Sequence, residues 1–101
     1  TWDDTVATAA MIRSKEIEKS FSHTRPDGRN FGTAITDLGI TYRGAGENIA
    51  WGQKTPEAVM NAWMNSEGHR ANILNPNFKK LGVGYRTDSQ RTPYWTQLFT
   101  Y

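Results

Sequence analysis

Apolar residues at Trp2, Val6, Ala10, Ile17 and Phe21 fall on one helical stripe, which predicts an amphipathic helix from Trp2 to about Ser20. Asp3 and Asp4 would sit in its first turn, where carboxylates complement the helix dipole. The segment TRPDGRN ends this helix, because Pro26 keeps Arg25 out of the helical region and Asp27-Gly28 is a turn pair. Phe31, Ala34, Ile35 and Leu38 repeat at helical spacing, with Gly39 at the expected C-terminal cap, and predict a short second helix. Thr41 to Arg43 and Ile49 to Trp51 read as extended, and the glycines of GAGEN between them predict a strand that is short or bent. Thr55-Pro56-Glu57 is a helix start, with Thr as N-cap and Pro at the first helical position. The helix it opens is predicted to run to about Asn65 and to pack Val59, Ala62 and Trp63. NSEGHRANILNP then reads as a further short helix or tight turn ending at Asn75-Pro76. Leu81, Val83 and Tyr85 alternate, and Tyr94 to Tyr101 is rich in aromatics and Thr, so a β-hairpin across TDSQRTP closes the chain. Helices first and a hairpin last make the class α+β.

With 101 residues the chain supplies one domain and one core. A formal charge of +2, with basic residues scattered except for Lys79-Lys80, is no nucleic-acid stripe. No apolar run approaches the roughly 18 residues of a bilayer span, and no signal segment stands at the start. The first residue is Thr rather than Met, which suggests that something upstream is removed. The absence of Cys excludes disulfides and thiolate chemistry without choosing a compartment.

Candidate chemistry is sparse. His23 and His69 are the two histidines, each beside loop-forming residues. Glu47, in GENIAWG, is either a solvated turn residue or an acid aimed into a cleft, since small neighbours permit close approach. Ser66 and His69 are three apart and would share a helical face, but Ser66 reads better as an N-cap, because no acid is placed to orient the imidazole. Glu67 and His69 would not face each other, so this is not a zinc-protease HExxH motif, and no phosphate cradle, dinucleotide fingerprint, EF-hand loop or CxxC pair is present. The residues alone support only a partial metal site of two His and one Glu.

Taken in order, FSHTRPDGRNF, AGENIAWG, AWMNSEGHRANILNPNFKKLGVGY and YWTQLF resemble the bacterial, SCP-like extracellular branch of the CAP superfamily, over nearly the whole chain. That superfamily also holds cysteine-rich secretory proteins, venom antigens and pathogenesis-related proteins. The resemblance implies an α-β-α sandwich, a small and mostly antiparallel sheet between helical layers, as a single domain over residues 1–101. It also implies a protein that is secreted or associated with the cell surface or wall. Family members usually carry another helix before the segment like TWDD, so the domain looks trimmed at its amino end.

By the same resemblance, His23 and Glu47 match the first histidine and first glutamate of a cleft tetrad. Tyr94 stands at the place of the second histidine and Ser66 at that of the second glutamate, so that tetrad is half present. His69, in the GHR motif of the bacterial branch, is expected to enter the same cleft, with Ser66, Tyr94 and Gln97 as polar neighbours. Two imidazoles and a carboxylate suit zinc or a similar divalent cation, held weakly through His23 and His69. The leading expectation is a binding module with an unknown peptide, glycan or lipid ligand, aided by exposed aromatics such as Trp51 and Trp95. A metal-dependent hydrolase acting on peptide or cell-wall material and a lipid or sterol binder are the alternatives.

Overall fold

The computed structural model describes residues 1–101. Helix α1 (Asp4–Lys19) starts where Asp3 turns extended and its carboxylate accepts the Val6 N–H at 2.9 Å. Trp2 is therefore outside the predicted helix: it bridges Leu81 in parallel, because the N-terminal residues add to a strand edge, and its ring is left 54% exposed. Phe21, also expected on the buried stripe, lies beyond the helix and is half exposed. Helix α2 (Thr33–Thr36) is a single turn that Gly39, at φ 89°, helps to end.

Strand β1 (Ala45–Trp51) runs unbroken through the glycine-rich segment expected to bend it. The reason is spatial: a Cβ on Gly46 would stand 2.9 Å from the Phe78 ring, so the glycine makes room for that ring rather than a kink. Thr41 to Arg43, expected to be extended, forms no strand. Helix α3 (Pro56–Met64) begins on Thr55, whose hydroxyl accepts the Ala58 N–H at 3.1 Å. It buries Val59 and Trp63 but leaves Ala62 exposed. Helix α4 (Glu67–Leu74) follows at once, and strands β2 (Lys80–Thr87) and β3 (Pro93–Thr100) form the expected hairpin.

The sheet order is β1-β3-β2, antiparallel throughout, so β3 is central and β1 is an edge. Side chains alternate across its two faces. One face turns Leu98 to α1 and α2, where Val6, Ala9, Ala10, Ala34 and Ile35 close the main core. Gly82 and Gly84 carry α1 at backbone distance, since a Cβ on Gly82 would collide with the main chain at Val6 and Ala7, and one on Gly84 with that of Ala10 and Met11. The other face turns Ala50 and Trp95 to Val59 and Trp63 of α3. Helical layers thus cover both faces, an α-β-α sandwich. Trp95, expected to be exposed, is 7% exposed in this second core, with its indole N–H donated to the Gln53 carbonyl.

Candidate functional site

One charged residue organises the site, and it stands on the apolar stripe of α1. Arg13 is 0% exposed, between Ala10 and Ile17 on the face that meets the sheet. Its Nε donates to Glu47 Oε2 at 2.7 Å and its Nη2 to Glu47 Oε1 at 3.1 Å, while Nη1 reaches Glu16 at 2.8 Å. The Ser22 carbonyl takes a further bond from Nη2 at 2.5 Å. Burial opposes the guanidinium's charge, yet the bonds to Glu47 and Glu16 outweigh it and raise the Arg13 pKa above its ordinary value.

His23 completes this arrangement. Its Nδ1 lies 2.8 Å from Glu47 Oε1. A carboxylate facing a guanidinium only accepts, so Nδ1 donates and the ring's other nitrogen, Nε2, is left without a partner in the protein. The loop holding His23 is itself tied down. Phe31 donates its backbone N–H to the His23 carbonyl at 3.0 Å, and the Phe31 ring meets the imidazole edge-on. Arg25 clamps the loop by bonding Glu16, Thr33 and Asp37.

His69 arrives from α4, which a buried amide network fastens to β1. Asn48, fully buried, donates to the His69 carbonyl and to Gln97 Oε1, both at 3.1 Å. Asn72 donates to Asn48 Oδ1 at 2.9 Å and to the Glu47 carbonyl at 3.3 Å. Burial first, and the neighbouring His23 second, hold the His69 pKa below the usual imidazole value.

His23 and His69 line one cleft of about 490 Å³ at the outer edge of β1. Phe21 and His23 form one side, the α3–α4 corner with Trp63, Ser66 and His69 the other, and Ile49 to Trp51 the floor. Ser66 is the N-cap residue of α4 by position, but its side chain makes no capping bond, so its hydroxyl remains available to the cleft. Glu47 lies behind His23, 4% exposed, rather than on the wall.

Two residues expected in the cleft stand elsewhere. Tyr94 faces the α1 side of β3 and donates its hydroxyl to Asp88 at 3.2 Å. Gln97 is 5% exposed on the opposite face, held by Asn48 and by Met60 Sδ at 3.8 Å. Alternation along one strand forces both outcomes, since β3 is covered on both faces. No three His, Cys, Asp or Glu side chains gather closely enough to hold a metal ion. Both oxygens of Glu47 are engaged instead within the protein, by Arg13 and His23.

Arg13, Asn48 and Asn72 were not candidates from the sequence. Arg13 carried a signal nonetheless: it sits three residues after Ala10 and four before Ile17, on the face that must be buried. A lone cation there demands a buried acid.

An α-β-α sandwich with a His-Glu pair beside a second imidazole defines the class, and comparison with known proteins agrees. The family model of CAP, the Cysteine-rich secretory protein family, matches residues 1–99, and the chain belongs to that family. It is 48% identical over 99 residues to the uncharacterised protein YkwD of Bacillus subtilis strain 168, covering 96% of this chain and 37% of YkwD. An extracellular protein containing an SCP domain from Bacillus anthracis superposes with a TM-score of 0.89 at 35% identity, over 99% of this chain and 33% of that one. An outer surface protein of Borrelia burgdorferi shares the fold at a TM-score of 0.87 and 23% identity, over 98% of this chain and 74% of that one. The chain therefore spans about a third of the length of the two Bacillus relatives. No helix is long and apolar enough to cross a membrane.

Proposed function

We propose that the domain is an extracellular binding module whose ligand sits in the cleft at the outer edge of β1. The observation that carries this reading is the commitment of Glu47 to Arg13 and His23. A carboxylate held by a buried guanidinium is a poor general base and offers no third ligand to a cation. What remains for a ligand is the free nitrogen of His23, the His69 ring and the Ser66 hydroxyl, set among Phe21, Trp51 and Trp63. A few polar groups on apolar walls orient a bound molecule while burying its carbon. The extracellular description of the Bacillus anthracis relative supports work outside the cell.

One observation favours a second reading, a metal-dependent hydrolase: both imidazoles line a single cleft and His69 is biased to its neutral, coordinating form. Two protein nitrogens fall short of the three of an ordinary catalytic zinc site, so any such binding is weak. Calorimetric titration with Zn²⁺ tests it, on protein purified without chelators or a His-tag. Stoichiometric binding lost in His23→Ala and His69→Ala would favour the hydrolase. The leading reading is tested by titrating peptide, glycan and lipid fractions against indole fluorescence, with mass spectrometry of the recovered ligand. It expects saturable binding, weakened by His69→Ala, with the ligand intact. Ligand cleavage that depends on His23 or His69 would overturn it.

A further inference from the structure

A second depression, of about 770 Å³, shares only Trp51 with the cleft. It lies at the end of the sheet, between the turn after β1 and the β2–β3 hairpin. Trp51 is 57% exposed and Tyr85 43% exposed, which is unusual for rings of this size, and both residues line this basin. Neither ring is loose at its root: Trp51 belongs to β1, and Tyr85 packs on Trp95 with centroids 4.4 Å apart. Lys54 and Arg91 also line this basin; no acidic residue does, and neither cation has an ion-pair partner.

The hairpin loop holds Arg91 in place. Arg91 has φ 65°, the left-handed region, and no other non-glycine residue of the chain has positive φ. Asp88 holds the turn by accepting the N–H groups of Gln90 at 2.8 Å and Thr92 at 2.9 Å, while Arg91 N–H bonds the Asp88 carbonyl at 3.0 Å. A bonded turn of this kind fixes the direction in which the Arg91 side chain leaves the backbone.

The third feature is a strand edge. Gly44 and Tyr101 exchange backbone bonds, which fixes the even residues of β1 and the odd residues of β3 as those facing each other. Even residues of β3 then bond even residues of β2, and the odd residues of β2 turn their N–H and C=O groups outward. At Leu81 this outer edge is already used: Asp3 donates to the Leu81 carbonyl and Leu81 to the Thr1 carbonyl, each at 2.9 Å. The Tyr85 N–H is turned to Met11 Sδ at 3.3 Å. At Thr87, which lines the basin, the outward N–H and C=O have no partner in the protein.

We propose that this basin is a second binding site, for an extended acidic peptide segment of another protein, which adds alongside β2 at Thr87 and places its carboxylates on Arg91 and Lys54. Three observations select a peptide over an acidic glycan. A free strand edge bonds backbone, not sugar. The chain's own residues 1–3 show that an extended segment fits this edge at its other end. Trp, Tyr and Arg together are the residues on which protein partners most often anchor. Charge complementarity sets the sign of the segment, since two unpaired cations meet no acid.

The test is a ¹⁵N NMR titration of the protein with a short blocked peptide alternating glutamate and threonine, its lysine counterpart, and polygalacturonate as an acidic polysaccharide. The acidic peptide is expected to shift the Thr87 amide and the Trp51 indole together, leave the amides of Ser66 and His69 in place, and bind more weakly as salt is raised. Lys54→Ala with Arg91→Ala is expected to lower its affinity about tenfold, as two partly exposed ion pairs would. Thr87→Pro, which removes the edge N–H but no charge, is expected to weaken the peptide and not the polysaccharide. No saturable shift by about 1 mM peptide, the range of the weakest specific complexes, overturns the proposal. So do equal shifts from the lysine peptide, polygalacturonate binding as tight as that of the acidic peptide, or shifts confined to the cleft.

Discussion

Glu47→Ala removes the residue on which the His23 side of the site depends. The variant leaves the Arg13 guanidinium at 0% exposure with the Glu16 carboxylate and the Ser22 carbonyl as its remaining partners. Breaking a buried ion pair by deleting one member costs about 3–5 kcal/mol, because the surviving charge stays out of water. The retained bond to Glu16 places the expected loss near the lower end, about 3 kcal/mol, which for a chain of this size lowers Tm by roughly 12–24 °C. Glu47→Gln keeps an acceptor for Arg13 Nε and is expected to cost about half as much. Replacing both partners together, Arg13→Met with Glu47→Leu, removes the stranded charge and should recover most of the loss. Urea unfolding followed by tryptophan fluorescence, arranged as a double-mutant cycle, reads each term. A loss below about 1 kcal/mol for Glu47→Ala, the range of a surface pair, would refute the reasoning. So would a double variant no more stable than Glu47→Ala.

Three further outcomes follow from particular contacts. Gln97→Glu places a carboxylate at a 5% exposed position whose hydrogen-bonded neighbours are amides and a thioether rather than a cation, so thermal unfolding should fall as far as for Gln97→Ala, about 1–3 kcal/mol. Gly84→Ala drives a methyl into the Ala10 main chain, well inside van der Waals contact; α1 must move, and chemical denaturation should show a loss of about 1–3 kcal/mol or more. Burial keeps the folded His69 pKa below its unfolded value. Its contribution to stability is therefore complete above about pH 6.5 and is lost as pH falls through that value towards the lower folded pKa. Denaturation measured from pH 7.5 down to 5.0 should show this slope in the native protein and a shallower one in His69→Gln.

Much of the framework was legible because local rules and tertiary packing agree. The Thr55-Pro56 start, the Gly39 stop and the alternation of Leu81, Val83 and Tyr85 each follow from backbone chemistry that packing leaves alone. Where they conflict, packing wins. Gly46 reads as a strand breaker until the Phe78 ring occupies the place of its side chain, and Trp2 reads as helical until the strand edge at Leu81 claims it. His23 and Glu47 came from motif resemblance, not from spacing, because their meeting depends on a loop and an edge strand 24 residues apart in the chain. Tyr94 and Gln97 lie three apart in a strand, so they must face opposite sides, and the period of two already forbade both from lining one cleft. Arg13, the residue that determines what Glu47 can do, looked like one more scattered cation. Its place on the stripe between Ala10 and Ile17 was the one signal of burial, and the packing of α1 against the sheet makes that burial complete.

The central claim is that His23 and His69 share one cleft, with His23 fixed by a carboxylate that Arg13 has already claimed. Imidazole titration by NMR, in the native protein and in His23→Gln, tests it most directly. The account predicts that His69 titrates below the usual imidazole range in the native protein, chiefly through burial and secondly through the nearby His23. In His23→Gln the second contribution disappears, and the His69 pKa should rise part of the way back. A His69 pKa that does not move when His23 is replaced, or that lies at its ordinary value in the native protein, would contradict the account.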